Sequence, residues 1–440
     1  MNLDRPFFTR LDPNKRIRGS RDPLGFTPVW TALGRKVVLN VSTVSTSLRG
    51  FTTLLIARYL CDKAVEEGRI QPDSYTDAFL KIEQLIAYCR IAVHQVDANA
   101  SEDDIRGILR VKARLAERSI RISVQPEWQI LSNQRTYGLW GLYSVPAQSS
   151  GLLLEDHSHL SLVARQFVET EYVPRLGKDT ESMLDVLRKD REFDPLGKDA
   201  AFAKRVAALC APALTKSEVQ FYTCHLLQSG EPQGIQSSLW RFMREVASGP
   251  NFGWTEPFTI QELREVIKRC SAQKEEQLAM LLNNIDIVEA YLAPCAGLFG
   301  FVLERDGQSL RDVANELQRT WGATPKRLLP ETDKLFSVLS VAGDAMPGPI
   351  LENFRHIAFA LKTADYVGTF DGLIKHNRLV MQERKGSAWI EIKRGRIRVR
   401  LKEDASVLPS KKEVGRAWRN PYFLNSLKAL GAQVTNGGRQ

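Results

Sequence analysis

Apolar residues recur at helical spacing through most of the chain. A helix is predicted after Pro72, because apolar side chains follow it at intervals of three and four residues. This stripe consists of Phe79, Ile82, Leu85, Ile86, Cys89 and Val93. Thr215-Lys-Ser-Glu218 and Thr259-Ile-Gln-Glu262 match the capping box, so each predicts the first turn of a further helix.

Two segments depart from this helical spacing. Residues 37–44 are rich in valine and favour a strand. Near the C-terminus, the short runs Leu379–Gln382, Ala388–Lys393 and Arg396–Lys402 alternate between apolar and polar residues and predict a β-meander. Between these regions, Pro294 is expected to end the longest predicted helix, Gln273–Leu292.

The predicted fold is therefore mainly α and multi-helical, with a small antiparallel β-meander near the C-terminus (α+β). A length of 440 residues suggests two or three domains. Turn-rich segments place the boundaries, which gives an N-terminal arm plus helical domain over 1–146 and a second helical domain over 147–346. Residues 347–440 would hold the basic β-meander and further helices.

Charge is concentrated in one part of the sequence. The chain has 61 Lys and Arg against 51 Asp and Glu, a net charge of +10. Residues 375–402 contain ten Lys and Arg and two Glu, so this segment alone contributes 10 − 2 = +8. A smaller basic excess lies in residues 1–21. A localised excess of this kind favours a polyanionic partner.

The remaining composition is that of an ordinary globular protein. We expect no stretch of the ~20 apolar residues that span a bilayer, and no secretory signal in residues 1–20. Six cysteines without a CxxC pair are expected to be small buried hydrophobes in a reducing cytoplasm. The sequence lacks Walker A and GxGxxG loops, which argues against NTP hydrolysis and dinucleotide redox chemistry. No metal-ligand set is expected.

The third run of the meander carries the main candidate site. Ile397, Val399 and Leu401 fall on one face of the predicted strand, and the alternate positions are all cationic. Such a face could follow a phosphate backbone, with Trp389 and Trp418 available for stacking. The predicted nucleic-acid-binding residues are Lys393, Arg394, Arg396, Arg398, Arg400, Lys402 and Trp389. Alternatively, the charges protect an exposed edge strand from pairing with other chains.

A second candidate is catalytic. Asp371, followed about twenty residues later by Glu391-Ile392-Lys393, resembles the PD-(D/E)xK nuclease pattern. That resemblance implies carboxylates that hold Mg²⁺ and a lysine that assists the attacking water. The sequence departs from the pattern because Phe370, and not proline, precedes Asp371. No cofactor is expected otherwise.

The N-terminal third resembles a group of prokaryotic proteins. Asp22-Pro-Leu-Gly-Phe-Thr-Pro-Val-Trp30, Ser45-Thr-Ser-Leu-Arg-Gly-Phe51 and Trp140-Gly-Leu-Tyr143 are similar to segments of poorly characterised proteins encoded near anti-phage defence genes. The resemblance covers about the first 150 residues. It implies a DNA-linked defence component that works with other subunits, and it assigns no site residue.

These observations predict a cytoplasmic DNA-binding or adaptor subunit of a prokaryotic assembly that binds the phosphate backbone through the basic meander. Its partners would be nucleic acid, with DNA expected, and other protein subunits, with no membrane. Two alternatives stay open: a Mg²⁺-dependent nuclease, and a helical scaffold that binds protein only.

Overall fold

The fold is mainly α-helical, as predicted. The computed structural model describes residues 22–97, 102, 104–155, 159–231, 233–250, 252–341, 343–401 and 408–437. The helices of the first half are α1 Thr27–Gly34, α2 Leu48–Glu66, α3 Tyr75–Val96, α4 Ile108–Glu117, α5 Gln134–Tyr137, α6 Leu139–Ser149, α7 Leu162–Glu171, α8 Val173–Leu176, α9 Asp179–Arg188, α10 Ala200–Ala208 and α11 Lys216–Tyr222.

The second half continues the helical pattern and adds the hairpin. Its helices are α12 Ile235–Ala247, α13 Ile260–Ala272, α14 Glu276–Leu303, α15 Leu310–Trp321, α16 Thr324–Leu328, α17 Thr332–Val341, α18 Gly348–Lys362, α19 Tyr366–Glu383 and α20 Leu424–Gly437. The described strands form two antiparallel pairs. They are β1 Arg121–Ile122 with β2 Arg191–Glu192, and β3 Ile390–Lys393 with β4 Arg396–Val399.

The described residues form two compact units that interleave along the chain. One unit comprises the described parts of Met1–Gly34, Thr259–Arg264 and Met280–Tyr422. The other comprises Arg35–Phe258, Glu265–Ala279 and Phe423–Gln440, again in their described parts. The division into the segments 1–146, 147–346 and 347–440 stays a prediction.

The unit that contains Arg35–Phe258 is built around α2 and α3, which are buried along nearly their whole length. Because no face of either helix is left to solvent, their charged side chains need partners inside the protein. Arg49 pairs with Glu218 at 2.5 Å. Lys81 pairs with Asp190 at 3.1 Å. The Arg58 guanidinium lies 3.8 Å from the ring centre of Trp140.

Several predicted features are confirmed. The stripe after Pro72 lies on α3, and Phe79, Ile82, Leu85, Ile86 and Cys89 are buried there. Thr215 and Glu218 form a reciprocal capping box at the start of α11. Thr259 and Glu262 exchange the same two hydrogen bonds at the start of α13. All six cysteines are free, and five are buried.

The strand predicted over residues 37–44 is wrong. This segment is an irregular connection, although Val37, Val38 and Val41 are fully buried. Side chains satisfy its backbone in place of a neighbouring strand. Arg35 donates to the carbonyl oxygens of Leu39 and Val41 at 3.2 and 2.7 Å. The valines therefore reflect burial rather than pairing.

Pro294 does not end its helix. α14 continues through it to Leu303. A proline inside a helix costs a backbone hydrogen bond, but this helix buries apolar residues on both sides of Pro294, including Leu292, Leu298 and Phe299.

α14 is also long and apolar enough to cross a membrane, contrary to our expectation from the sequence. Most of its apolar window is buried inside the protein, as in a core helix.

The ion pair between Arg49 and Glu218 gives a stability prediction. Replacing Arg49 with methionine leaves the Glu218 carboxylate buried without its cation, so we expect a loss of about 3–5 kcal/mol in the free energy of unfolding. Arg165→Met removes the exposed pair with Glu66 and should cost less than about 1 kcal/mol. Urea unfolding monitored by circular dichroism measures both. Equal losses for the two variants would contradict the conclusion that Arg49 neutralises a buried carboxylate.

Candidate nucleic-acid interface

The basic segment forms a two-stranded hairpin rather than the predicted three-stranded meander. The run Leu379–Gln382 belongs to α19, where Val380 and Met381 continue the buried stripe of Phe370, Leu373 and Ile374. Such a short apolar run fits both the helical period of 3.6 residues and the strand period of 2, and its packing as part of α19 decided its conformation. The hairpin turns at Arg394-Gly395, whose φ angles of 52° and 70° match the left-handed conformation of a tight type I′ turn.

The apolar face of the hairpin packs onto the protein. Ile390 and Ile397 are each 1% exposed, and they lie on the face opposite the charged side chains. Trp389 is only 4% exposed, and its ring centre lies 6.4 Å from that of Phe299. The prediction that Trp389 stacks on bases is therefore wrong, because its indole is part of the core. The same indole anchors the hairpin.

The outer edge of β4 is already hydrogen-bonded. Ile397 donates its N–H to the Gln308 carbonyl at 2.9 Å, and its own carbonyl accepts from Gly307 at 2.8 Å. The next outward N–H, that of Val399, donates to the Asp306 carboxylate at 2.9 Å. β4 thus lies between β3 and the loop 306–309 and has no open edge here. Protection of an edge does not account for its arginines.

The charged face of the hairpin points to solvent. Lys393 lies opposite Arg396, and Glu391 lies opposite Arg398. Arg400 forms an ion pair with Glu391 at 2.8 Å. Lys393, Arg394 and Arg398 form no ion pair with any residue that the structure describes, and all three are exposed.

We call this surface the hairpin face, defined as Glu391, Lys393, Arg394, Arg396, Arg398 and Arg400. Five cations and one carboxylate give it a net charge of 5 − 1 = +4. From Arg396 to Arg400 the strand extends about 13 Å, with a guanidinium at every second residue. Arg396 also donates to the Gly307 carbonyl at 2.8 Å, which restricts its position. Lys402, also predicted to bind nucleic acid, lies outside the described residues.

Helix α19 holds the base of the hairpin. The Asn377 side chain accepts the Trp389 N–H at 2.8 Å and donates to the Pro23 carbonyl at 2.9 Å. Beside it, His376 Nε2 donates to the Leu24 carbonyl at 2.9 Å. Both residues are fully buried. One turn of α19 therefore fixes both residues 23–24 and the start of the hairpin.

These supporting residues were missed in the sequence. The available signal was a pair of polar residues, His376-Asn377, inside the apolar stripe of α19. A second signal was Asp306-Gly307, a typical turn dipeptide. Neither signal identifies its partner, because the hydrogen bonds join residues more than 80 positions apart for the loop and more than 350 for the helix.

The nuclease residues occupy different elements. Asp371 is exposed on α19, on the same helix face as Lys375 and Arg378. Glu391 lies on β3, and its carboxylate pairs with Arg400. No group of three His, Cys, Asp or Glu that could hold a metal ion occurs among the described residues. The nuclease pattern has only two carboxylates, Asp371 and Glu391, so the absence of a group of three does not test it. A Mg²⁺ site at Asp371, Glu391 and Lys393 therefore stays a prediction.

Comparisons with protein-family models, curated proteins and solved structures found no match.

His376 gives a pH-dependent prediction. Burial lowers the pKa of His376 to about 4, and its Nε2 proton is used on the Leu24 carbonyl. In the unfolded state the pKa of His376 is near 6.5. On acidification the unfolded chain therefore binds a proton at a pH where the folded protein does not. Stability from this residue is present above about pH 6.5 and falls as the pH drops towards 4. Between pH 7.5 and pH 5 the loss should be about 2 kcal/mol.

The measurement compares urea unfolding of the wild type and His376→Gln at these two pH values. The variant should lose about 2 kcal/mol less than the wild type on acidification. His356→Gln is the matched control for loss of an imidazole, because His356 is exposed on α18. Identical pH dependence in His376→Gln and the wild type would contradict the prediction.

Proposed function

We propose that this protein is a DNA-binding or adaptor subunit that contacts the phosphate backbone through the hairpin face. The observation that carries the proposal is the covered edge of β4. Its arginines are not needed to block strand addition, since the loop 306–309 already occupies that edge. Three of the cations also form no ion pair with the described residues, so they are available to an external anion.

The chemistry of the hairpin face favours phosphate. Arginine presents a planar fork of donors that matches phosphate oxygens, and four of the five cations are arginines. Lys393 and Arg396 lie directly opposite each other, so two cations can meet one phosphate group. With Trp389 buried, the hairpin face binds through charge and not through base stacking. We therefore expect little dependence on base sequence.

The cellular role rests on the resemblance of the first 150 residues to proteins encoded near anti-phage defence genes. It supports a cytoplasmic, DNA-linked role in a multi-protein prokaryotic assembly. Within such an assembly this chain would bring its partner subunits to DNA.

Charge reversal tests the hairpin face. The triple variant Arg396→Glu, Arg398→Glu, Arg400→Glu should weaken binding to duplex DNA at low salt. It should also reduce the slope of log K against log salt by about 2–3, since each neutralised phosphate contributes about 0.9. Fluorescence anisotropy of labelled duplex across a salt series measures both quantities.

The matched control makes the same change in net charge elsewhere. Lys198, Lys204 and Lys216 are exposed lysines around α10 and α11, and none forms an ion pair with a described residue. Changing all three to glutamate should leave the salt slope nearly unchanged. A hairpin triple variant that keeps the wild-type slope, or a control that loses as much, would overturn the assignment. Running the products on a denaturing gel with Mg²⁺ tests the nuclease alternative in the same samples.

A further inference from the structure

An irregular segment of the same unit is held rigidly and forms one side of a cavity. We call residues 408–420 the strap; the structure gives them turns but neither helix nor strand. At one end, the Trp321 indole N–H donates to the Pro409 carbonyl at 3.0 Å. In the middle, Arg264 donates to the Gly415 carbonyl at 2.9 Å. Gly415 has a φ of +78°, and a side chain there would meet the Leu328 carbonyl at 2.8 Å.

The other end of the strap is held by a buried carboxylate. Glu289 Oε1 accepts the N–H groups of Arg419 and Asn420 at 2.6 and 2.9 Å. Its Oε2 accepts from the Asn420 amide at 2.8 Å and from the Tyr422 hydroxyl at 2.8 Å. Burial raises the pKa of Glu289, and these four donors act against that shift. The backbone on both sides of Trp418 is therefore fixed before any ligand arrives.

The strap and α14 line an open cavity of about 330 Å³. This volume is within the range of small-molecule sites, which starts at about 300 Å³. Its lining residues are Ala293 of α14 and Pro409, Glu413, Arg416, Ala417, Trp418 and Arg419 of the strap. One tryptophan, two arginines and one glutamate thus meet around a preformed space.

Each of these side chains has a distinct chemical use. The Trp418 ring is half-buried and is braced by Tyr422, whose ring centre lies 5.4 Å away. Arg416 and Arg419 are exposed and form no ion pair with any described residue. Hydrogen bonds from Ser410 lower the pKa of Glu413, so its carboxylate is ionised at neutral pH and can accept N–H donors.

We propose that this cavity binds a nucleoside phosphate unit. The base stacks on Trp418, the phosphate lies between Arg416 and Arg419, and Glu413 accepts a hydrogen bond from a ring or amino N–H of the base. Stacking and phosphate binding need an aromatic surface next to cations, and the strap supplies both within a few residues. A free nucleotide and an unstacked nucleotide of a strand share this chemistry. The site does not depend on the hairpin face.

Isothermal titration calorimetry with AMP, GMP, CMP and UMP tests the proposal on the full chain. We expect at least one monophosphate to bind at least about tenfold more tightly than inorganic phosphate and than its own nucleoside. Trp418→Leu should weaken the binding of that nucleotide roughly 5- to 150-fold, the range found for loss of one stacked base. Trp418→Phe should keep most of the affinity. Arg416→Ala with Arg419→Ala should reduce nucleotide binding to the level of the nucleoside.

Controls separate this site from the proposed function. Lys216→Ala, which removes an exposed lysine of α11, should leave nucleotide affinity unchanged, and thermal unfolding checks that each variant is folded. Failure of all four nucleotides to bind more tightly than phosphate would overturn the proposal, even if the hairpin face binds DNA. Wild-type affinity in both Trp418→Leu and the double arginine variant would overturn it as well. If a single-stranded pentanucleotide binds over tenfold more tightly than the monophosphate, and Trp418→Leu removes this gain, the natural ligand is a nucleotide within a strand. Equal affinity identifies a free nucleotide.

Discussion

Hydrogen bonds between buried or half-buried polar side chains and the backbone of irregular segments hold the connections of this protein in place. The same arrangement recurs in four places. Arg35 satisfies carbonyls in the segment 38–41, and His376 with Asn377 satisfies those of residues 23–24. Glu289 accepts two N–H groups of the strap. Each segment would otherwise bury backbone groups without partners, at a cost of about 1–3 kcal/mol for each group.

A fourth case shows how closely side chain and backbone geometry are matched. Residues Thr223–Leu227 form a turn of π-helix, in which carbonyl groups are displaced from the regular ladder. Asn40 donates to the carbonyls of His225 and Leu226 at 2.7 and 3.0 Å. Gln236 donates to the Leu226 carbonyl at 2.8 Å and accepts the Leu39 N–H at 2.8 Å. Two amide side chains thus stabilise the π-helical turn and the irregular segment beside it.

The candidate surfaces depend on this scaffolding. The hairpin face is exposed and charged, yet its position follows from the buried Trp389 and from Asn377 beneath it. The Trp418 cavity likewise consists of exposed or half-exposed side chains on a strap with buried anchors. In both places the groups that would meet a ligand lie on backbone that is already ordered. Binding would then cost little additional conformational entropy, which favours affinity.

Sequence and structure agree best where a local pattern is sufficient. The apolar stripe of α3, the capping boxes at Thr215 and Thr259, and the cationic alternation of β4 depend on neighbours within a few residues. Their periods of 3.6 and 2 can be read directly from the chain. The tight turn at Arg394-Gly395 also depends only on local geometry.

The remaining features were decided by tertiary contacts. Val37, Val38 and Val41 favour a strand by composition, but without a partner strand they form a buried irregular connection. Pro294 would end an isolated helix, whereas burial on both sides keeps α14 continuous. Trp389 is next to a basic run in the sequence, and only packing against Phe299 shows that it belongs to the core.

The sequence by itself therefore determined the helical class of the protein and the alternating charge of the hairpin, because both arise from interactions between near neighbours. Only the tertiary structure decided that an edge of β4 is covered, that Trp418 is more accessible than Trp389, and that the Glu289 carboxylate anchors the strap. Those outcomes depend on hydrogen bonds and contacts between residues about 80 to more than 350 positions apart, and no local period encodes them.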